Sequence, residues 1–177
     1  MLTKYKQSGF TIVELLIVIV VIGILAAITI VAYNGIQVRA RDSERQQEVK
    51  TIGKALEMYY LDNGKYPPGG GSTSINSSWS TTADSSWSNL ATLLRPYISS
   101  LPADPVSTPG VNGLNFGYNY SYFADQAGSY CSTTPGQVYI LVYWLEGGGN
   151  QNTLNGTCNA PALGPYGGSN IRIVKGT

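Results

Sequence analysis

The chain has 177 residues and a formal net charge of +1, and only 12% of its residues are charged. That balance argues against a nucleic-acid-binding face, and the lack of histidine removes the commonest general base and metal ligand together. With an apolar N-terminal run set aside, roughly 140 residues remain, enough for one modest core.

Lys4 and Lys6 form a short basic head that ends at Gly9. From Leu15 to Val38 no residue is charged, and about 24 residues span roughly 36 Å as a helix. A bilayer core takes about 20 such residues, so the run is long enough to cross one with some tilt. One carboxylate, Glu14, stands at its head. A charge within a membrane helix costs on the order of 2.5–3.5 kcal/mol and marks a functional position. Lys4 and Lys6 keep the head cytoplasmic, while Arg39 and Arg41 beyond the run are diluted by Asp42 and Glu44. A removable secretory signal would have a shorter apolar region of about 7–15 residues and a small-residue cleavage site. Ala26 and Ala27 lie mid-run instead, and Ile30-Val31-Ala32 matches such a site badly.

The residues Gly9-Phe10-Thr11-Ile12-Val13-Glu14-Leu15-Leu16 resemble the class III signal of type IV prepilins and pseudopilins. The resemblance implies that a prepilin peptidase cuts after Gly9, that the new amino terminus Phe10 is methylated, and that Glu14 serves assembly. A carboxylate desolvated by apolar helices needs an opposite charge, and the amine of an adjacent subunit supplies it. Glu14 is then a register key, because a subunit slipped by one step buries an unpaired charge. Gly23 and Gly35 are either small residues for close helix packing or points where the helix stretches during assembly.

Beyond the membrane run the helix is expected to continue to about Asp62, with no proline and good helix formers throughout. Val49, Ile52, Leu56 and Tyr59 recur at three- and four-residue steps and draw one apolar stripe, read as core-facing. Glu44, Glu48, Lys50 and Lys54 fall mostly off it. Asn63-Gly64 supplies a left-handed cap, and Pro67-Pro68 forbids resumption.

Gly69 to Ser88 is rich in Gly, Ser and Thr and reads as a surface loop. Its Trp79 and Trp87 are either adhesive anchors or lids over the core edge, the reading preferred here. A short helix is expected from Asn89 to about Ser99, broken by Leu101-Pro102-Ala103-Asp104-Pro105. Phe116 to Phe123 alternates, with Tyr118, Tyr120 and Tyr122 on one face, and reads as a strand. Gln137 to Glu146 is apolar on both faces, hence central, and Gly147-Gly148-Gly149-Asn150 turns it. Asn170 to Lys175 is expected as an edge strand. Cys131 and Cys158 are either buried free thiols or, in an exported domain, a disulfide. Closing a loop of about 27 residues would stabilise by roughly 3.5 kcal/mol in the chain-entropy account. Two sulfurs without further Cys or His ligands make a poor zinc site.

The resemblance extends past the signal. Tyr59-Tyr60-Leu61-Asp62-Asn63-Gly64-Lys65-Tyr66-Pro67 resembles the helix-exit motif of major pseudopilins and many type IV pilins. So does Leu94-Arg95-Pro96-Tyr97-Ile98 with the Pro102–Pro105 segment after it. It implies the pilin fold, an α+β arrangement of one long N-terminal helix on a small antiparallel sheet. The organisation expected is a cleaved leader over 1–9, a transmembrane and assembly half-helix over 10–38, an amphipathic half-helix over 39–63, a connecting loop with a short helix over 64–113, and the sheet with its cysteine-bounded region over 114–177. Asp104-Pro105 lacks the aromatic that often follows in major pseudopilins, and no acidic cluster resembles their calcium loop. The cysteine spacing resembles the disulfide-bounded region of type IV pilins instead.

Asp84, Asp104, Asp125 and Glu146 are scattered in sequence, with no histidine or lysine placed to pair with them, so no catalytic constellation is expected. No cofactor or metal is implied. The function expected is a structural one: a type IV pilin stored in the cytoplasmic membrane as a single pass with its N-terminus inside, then polymerised into a surface filament for adhesion, motility or DNA uptake. A prepilin peptidase, an assembly platform and a motor ATPase would be its partners, since the chain has no nucleotide-binding loop of its own. The alternatives are a major pseudopilin of a type II secretion or competence system, and a membrane-anchored extracellular binding module.

Overall fold

The computed structural model describes residues 9–75, 77–107, 118–128, 134–148, 151–155 and 171–176. Cys131, Cys158 and the basic head lie outside them, so the expected disulfide and leader do too. The elements are α1 (Ile12–Asn63), β1 (Trp79–Thr81), α2 (Ser86–Leu94), β2 (Ser121–Ala124), β3 (Val138–Tyr143), β4 (Gln151–Asn155) and β5 (Ile171–Gly176). The chain divides into two units, Met1–Arg39 and Ala40–Thr177.

In the first unit the apolar side chains from Phe10 to Ile30 are exposed on every side of the helix. A helix apolar all round belongs inside other apolar material, not against water. It is the one helix among the described residues long and apolar enough to cross a membrane, with a mean hydropathy of 3.3 over its most apolar 18 residues.

In the second unit α1 becomes one-sided. Val49, Ile52, Ala55 and Leu56 are buried and share one core with Leu90 and Leu94 of α2, Tyr120 and Tyr122, and Tyr139, Leu141 and Tyr143 of β3. The stripe read from the sequence is therefore the core face, and each fully buried Ile or Leu contributes about 1.5–3 kcal/mol. The helix stops where the cap was expected: Gly64 takes φ 67° and donates its N–H to the Tyr60 carbonyl at 2.8 Å. Asn63 adds a bond from Nδ2 to the Tyr59 carbonyl at 2.9 Å.

The sheet runs β1-β2-β3-β5-β4. Its first four strands pair antiparallel, with Tyr122 opposite Leu141 and Ile140 opposite Val174. Two expectations change here. The last strand is internal rather than an edge, because β4, unforeseen in the sequence, lies parallel along its outer side. β3 is central and buried on both faces, as its unbroken apolar run requires.

The Gly/Ser/Thr stretch is not wholly loop either. Trp79–Thr81 forms β1 against β2, and its small polar residues are buried because their groups are bonded. Ser80 Oγ accepts from Gly70 N at 3.1 Å, and Ser121 Oγ donates to Thr81 Oγ1 at 3.0 Å. The tryptophans are buried: Trp79 packs on Phe123 with ring centroids 5.4 Å apart, and Trp87 donates Nε1 to the Pro102 carbonyl at 2.9 Å. Helix α2 starts at Ser86, three residues before the expected Asn89, and ends at Leu94 rather than near Ser99. The early start follows from Asp84, whose carboxylate accepts from Ser86 N at 2.9 Å. Arg95 keeps helical backbone, but Pro96 has no N–H to continue the hydrogen-bond ladder, which sets the early end.

Gly64 is a position where a side chain strains the backbone. Gly64→Ala is expected to lower unfolding stability by about 1–2 kcal/mol, read from denaturant titration of the full chain in detergent.

Candidate functional site

Two polar features stand out, one in each unit. The first opens α1. Thr11 donates both its N–H and its hydroxyl to Glu14 Oε2, at 2.8 and 2.7 Å, and Glu14 N donates back to Thr11 Oγ1 at 3.2 Å. This reciprocal capping box starts the helix, and an acid in the first turn also suits the helix dipole. The capping bonds fall on Oε2, and the exposed carboxylate lies beside Phe10, Leu15, Ile17 and Val18. Gly9, Phe10 and Glu14, singled out from sequence, are thus gathered at the exposed start of one apolar helix. Chemically the arrangement offers an anion in an apolar setting, able to receive a cation brought by another helix.

The second group lies on α1 after Ala40, and sequence reasoning missed it. Arg45 is completely buried. Its Nε and Nη2 hold the two oxygens of Asp104 at 2.8 and 3.1 Å, and Nη1 reaches Glu146 Oε1 at 2.7 Å and Asp42 Oδ1 at 3.0 Å. The guanidinium also lies over the Tyr118 ring, 4.8 Å from its centroid. Arg41 joins Glu146 through both carboxylate oxygens. Asp42 accepts the N–H groups of Glu146 and Gly147 at 2.9 and 2.8 Å, and Asp104 accepts that of Val106 at 2.9 Å.

Burial opposes the charge of Arg45, but the bonds to Asp104 and Glu146 outweigh it and hold the guanidinium above its ordinary value. The bond from Arg41, with Arg45 second among the favourable contacts, holds the Glu146 carboxyl below its ordinary 4.5. Asp104 and Glu146, scattered in sequence, are therefore brought together, and their partner is arginine rather than histidine or lysine. One signal was available. Counting four residues back from Val49 along the apolar stripe lands on Arg45, which places it on the buried face. No described group of three or more carboxylates or thiols is arranged to hold a metal ion.

Residues 4–30 match the prokaryotic N-terminal methylation motif. Residues 33–130, more than half of the chain, match type II secretion system protein G. The chain is 39% identical over 64 residues to the type II secretion system core protein G of Aeromonas hydrophila, covering 36% of this chain and 45% of that protein. It is 41% identical over 71 residues to a type IV major pilin of Neisseria gonorrhoeae, covering 40% and 43%. Over 102 residues it is 34% identical to the core protein G of Escherichia coli K12, covering 56% and 67%. The chain thus spans less than half the length of the first of these relatives. No solved structure matches it.

Removing the cation of a buried cluster leaves its carboxylates uncompensated, so Arg45→Leu is expected to cost about 3–5 kcal/mol of stability by denaturant titration. Because the folded Glu146 carboxyl is depressed, its stabilisation is complete above 4.5 and is lost as pH falls below that value. Melting temperature is expected to drop less steeply on acidification in Glu146→Gln than in the natural protein.

Proposed function

We propose, for a chain that belongs to the type II secretion system protein G family, that it is a filament subunit of the type IV pilin kind. The wider family of pilins and pseudopilins is structural. The single observation that carries the reading is the start of α1: a helix apolar on every side, unpartnered, with Glu14 at its head. Such a surface is at home in a bilayer and equally in a bundle of its own kind, and only the bundle brings a cation to the carboxylate.

On this reading the leader over 1–9 stays cytoplasmic, a prepilin peptidase cuts after Gly9, and the amine of Phe10 is methylated. Methylation keeps that amine cationic, so it can pair with Glu14 of the next subunit and set the axial step. The apolar half of α1 then moves from lipid into the filament core, driven by an assembly platform and a motor ATPase that this chain does not itself supply. A second reading, a major pseudopilin of a secretion filament, is favoured by the similarity to protein G beyond the N-terminal methylation motif, over residues 33–130.

Intact-mass measurement on sheared surface protein tests both. A pilin is expected there in quantity, beginning at methylated Phe10, with the cysteines oxidised. Retention in the membrane fraction would select the pseudopilin reading, and a mature protein beginning at Met1 would overturn both. Glu14→Ala is expected to be processed normally yet to give few filaments.

A further inference from the structure

We propose that the Arg45 cluster is a charge-operated latch, through which the α1 segment Ala40–Glu48 parts from the loops at 104–107 and 145–148 while the apolar core stays closed. From Ala40 to Glu48 the one fully buried side chain is Arg45. Its other bonds to the sheet side are polar: Arg41 to Glu146, Asp42 to the Glu146 and Gly147 amides, and Glu48 to the Tyr120 hydroxyl. The next turns change character, since Val49, Ile52, Ala55 and Leu56 pack into the apolar core, and the bonds that follow them, Tyr66 to Glu57 and Tyr60 to Gln137, come from tyrosine hydroxyls. One helix is thus fastened to the same unit by two kinds of force in succession.

The two respond differently to separation. Pulling apolar faces apart exposes them to water, and the loss grows with the area uncovered. Parting a whole ion cluster returns every one of its charges to water at once, and rehydration offsets most of the lost attraction. Deleting one member is costly because the others stay buried; opening the cluster as a set is not. Asp42 fastens the 145–148 loop through the N–H groups of Glu146 and Gly147, and Arg45 fastens the 104–107 loop through Asp104 while bridging to Glu146, so loop release and cluster opening are one event. In a filament, a consequence that rests on the function proposed above, tension carried along α1 meets these residues at the start of the second unit. The latch gives way there before the core does.

Amide hydrogen exchange on the full chain in detergent micelles tests the latch without needing filaments, so its outcome is separate from that of the filament reading. In Glu146→Gln, the amides of Gly147 and residue 146 are expected to exchange about tenfold faster while those of Tyr139–Val142 keep their rates. Arg41→Gln removes a single, partly exposed pair and leaves the buried Arg45–Asp104 pair intact, so its folding is secure. It is expected to accelerate residue 146 and Gly147 in the same way. Equal acceleration across β3 would make the cluster part of one cooperative core. Unchanged loop amides in both variants would mean the charges do not hold the loops. Either result overturns the proposal.

Discussion

Everything in this protein depends on one helix having to satisfy two surroundings. An α-helix shows a single sheet only a stripe of its surface, and from Val49 to Leu56 that stripe is all the apolar surface α1 carries. Between Phe10 and Ile30 the apolar residues run right round, and no sheet of this size could cover them. The chain answers with a change of composition along the element rather than a break in it, since no proline interrupts α1. What covers the first part has to be apolar.

The core that receives the second part is built largely from tyrosine. Tyr66, Tyr120, Tyr122 and Tyr139 are buried, and Tyr66 lies between Tyr60, tilted against it, and Tyr139, edge-on to it, at centroid distances of 4.7 Å on each side. Burying a phenol requires a partner for its hydroxyl. Tyr122 uses the Pro67 carbonyl at 2.7 Å, Tyr66 uses Glu57 at 3.1 Å, Tyr60 uses Gln137 and Tyr120 uses Glu48. Three of these bonds involve α1, so the rings provide apolar area while the hydroxyls fix where the helix sits on the sheet. Burial, with Glu48 second, pushes the Tyr120 phenol well above its ordinary value, so it stays a donor.

Long-period features were legible and short polar ones were not. The apolar run, the stripe, the Asn63-Gly64 stop and the buried central strand all follow from spacing or from a residue with a single conformational use. β1 escaped because Trp-Ser-Thr carries no alternation, and its burial depends on hydroxyl bonds to Gly70 and Ser121, which are remote or contributed by another strand. The early start of α2 rests on Asp84, whose role needs its carboxylate to fold back on Ser86. The arginine cluster joins positions some 60 and 100 residues apart, a distance no local pattern spans. At the candidate site Gly9, Phe10 and Glu14 were readable because they are neighbours in sequence. Thr11 was passed over, although its place three residues before a glutamate is the spacing of a capping box.

The order of strands in the sheet carries a kinetic consequence. β4 has one neighbour, β5, and that neighbour comes later in the chain. Until residues 171–176 dock along β3, a five-residue polar segment at 151–155 has nothing to pair with and no reason to order. The sheet therefore matures out of sequence, with β3 as template, β5 as the second addition and β4 last. Loop closure makes such distant pairings slow, which leaves the outer side of β3 uncapped for longest. A newly made subunit is most adhesive towards stray strands at that edge, and any helper that guards it during maturation need recognise only the backbone of Val138–Tyr143.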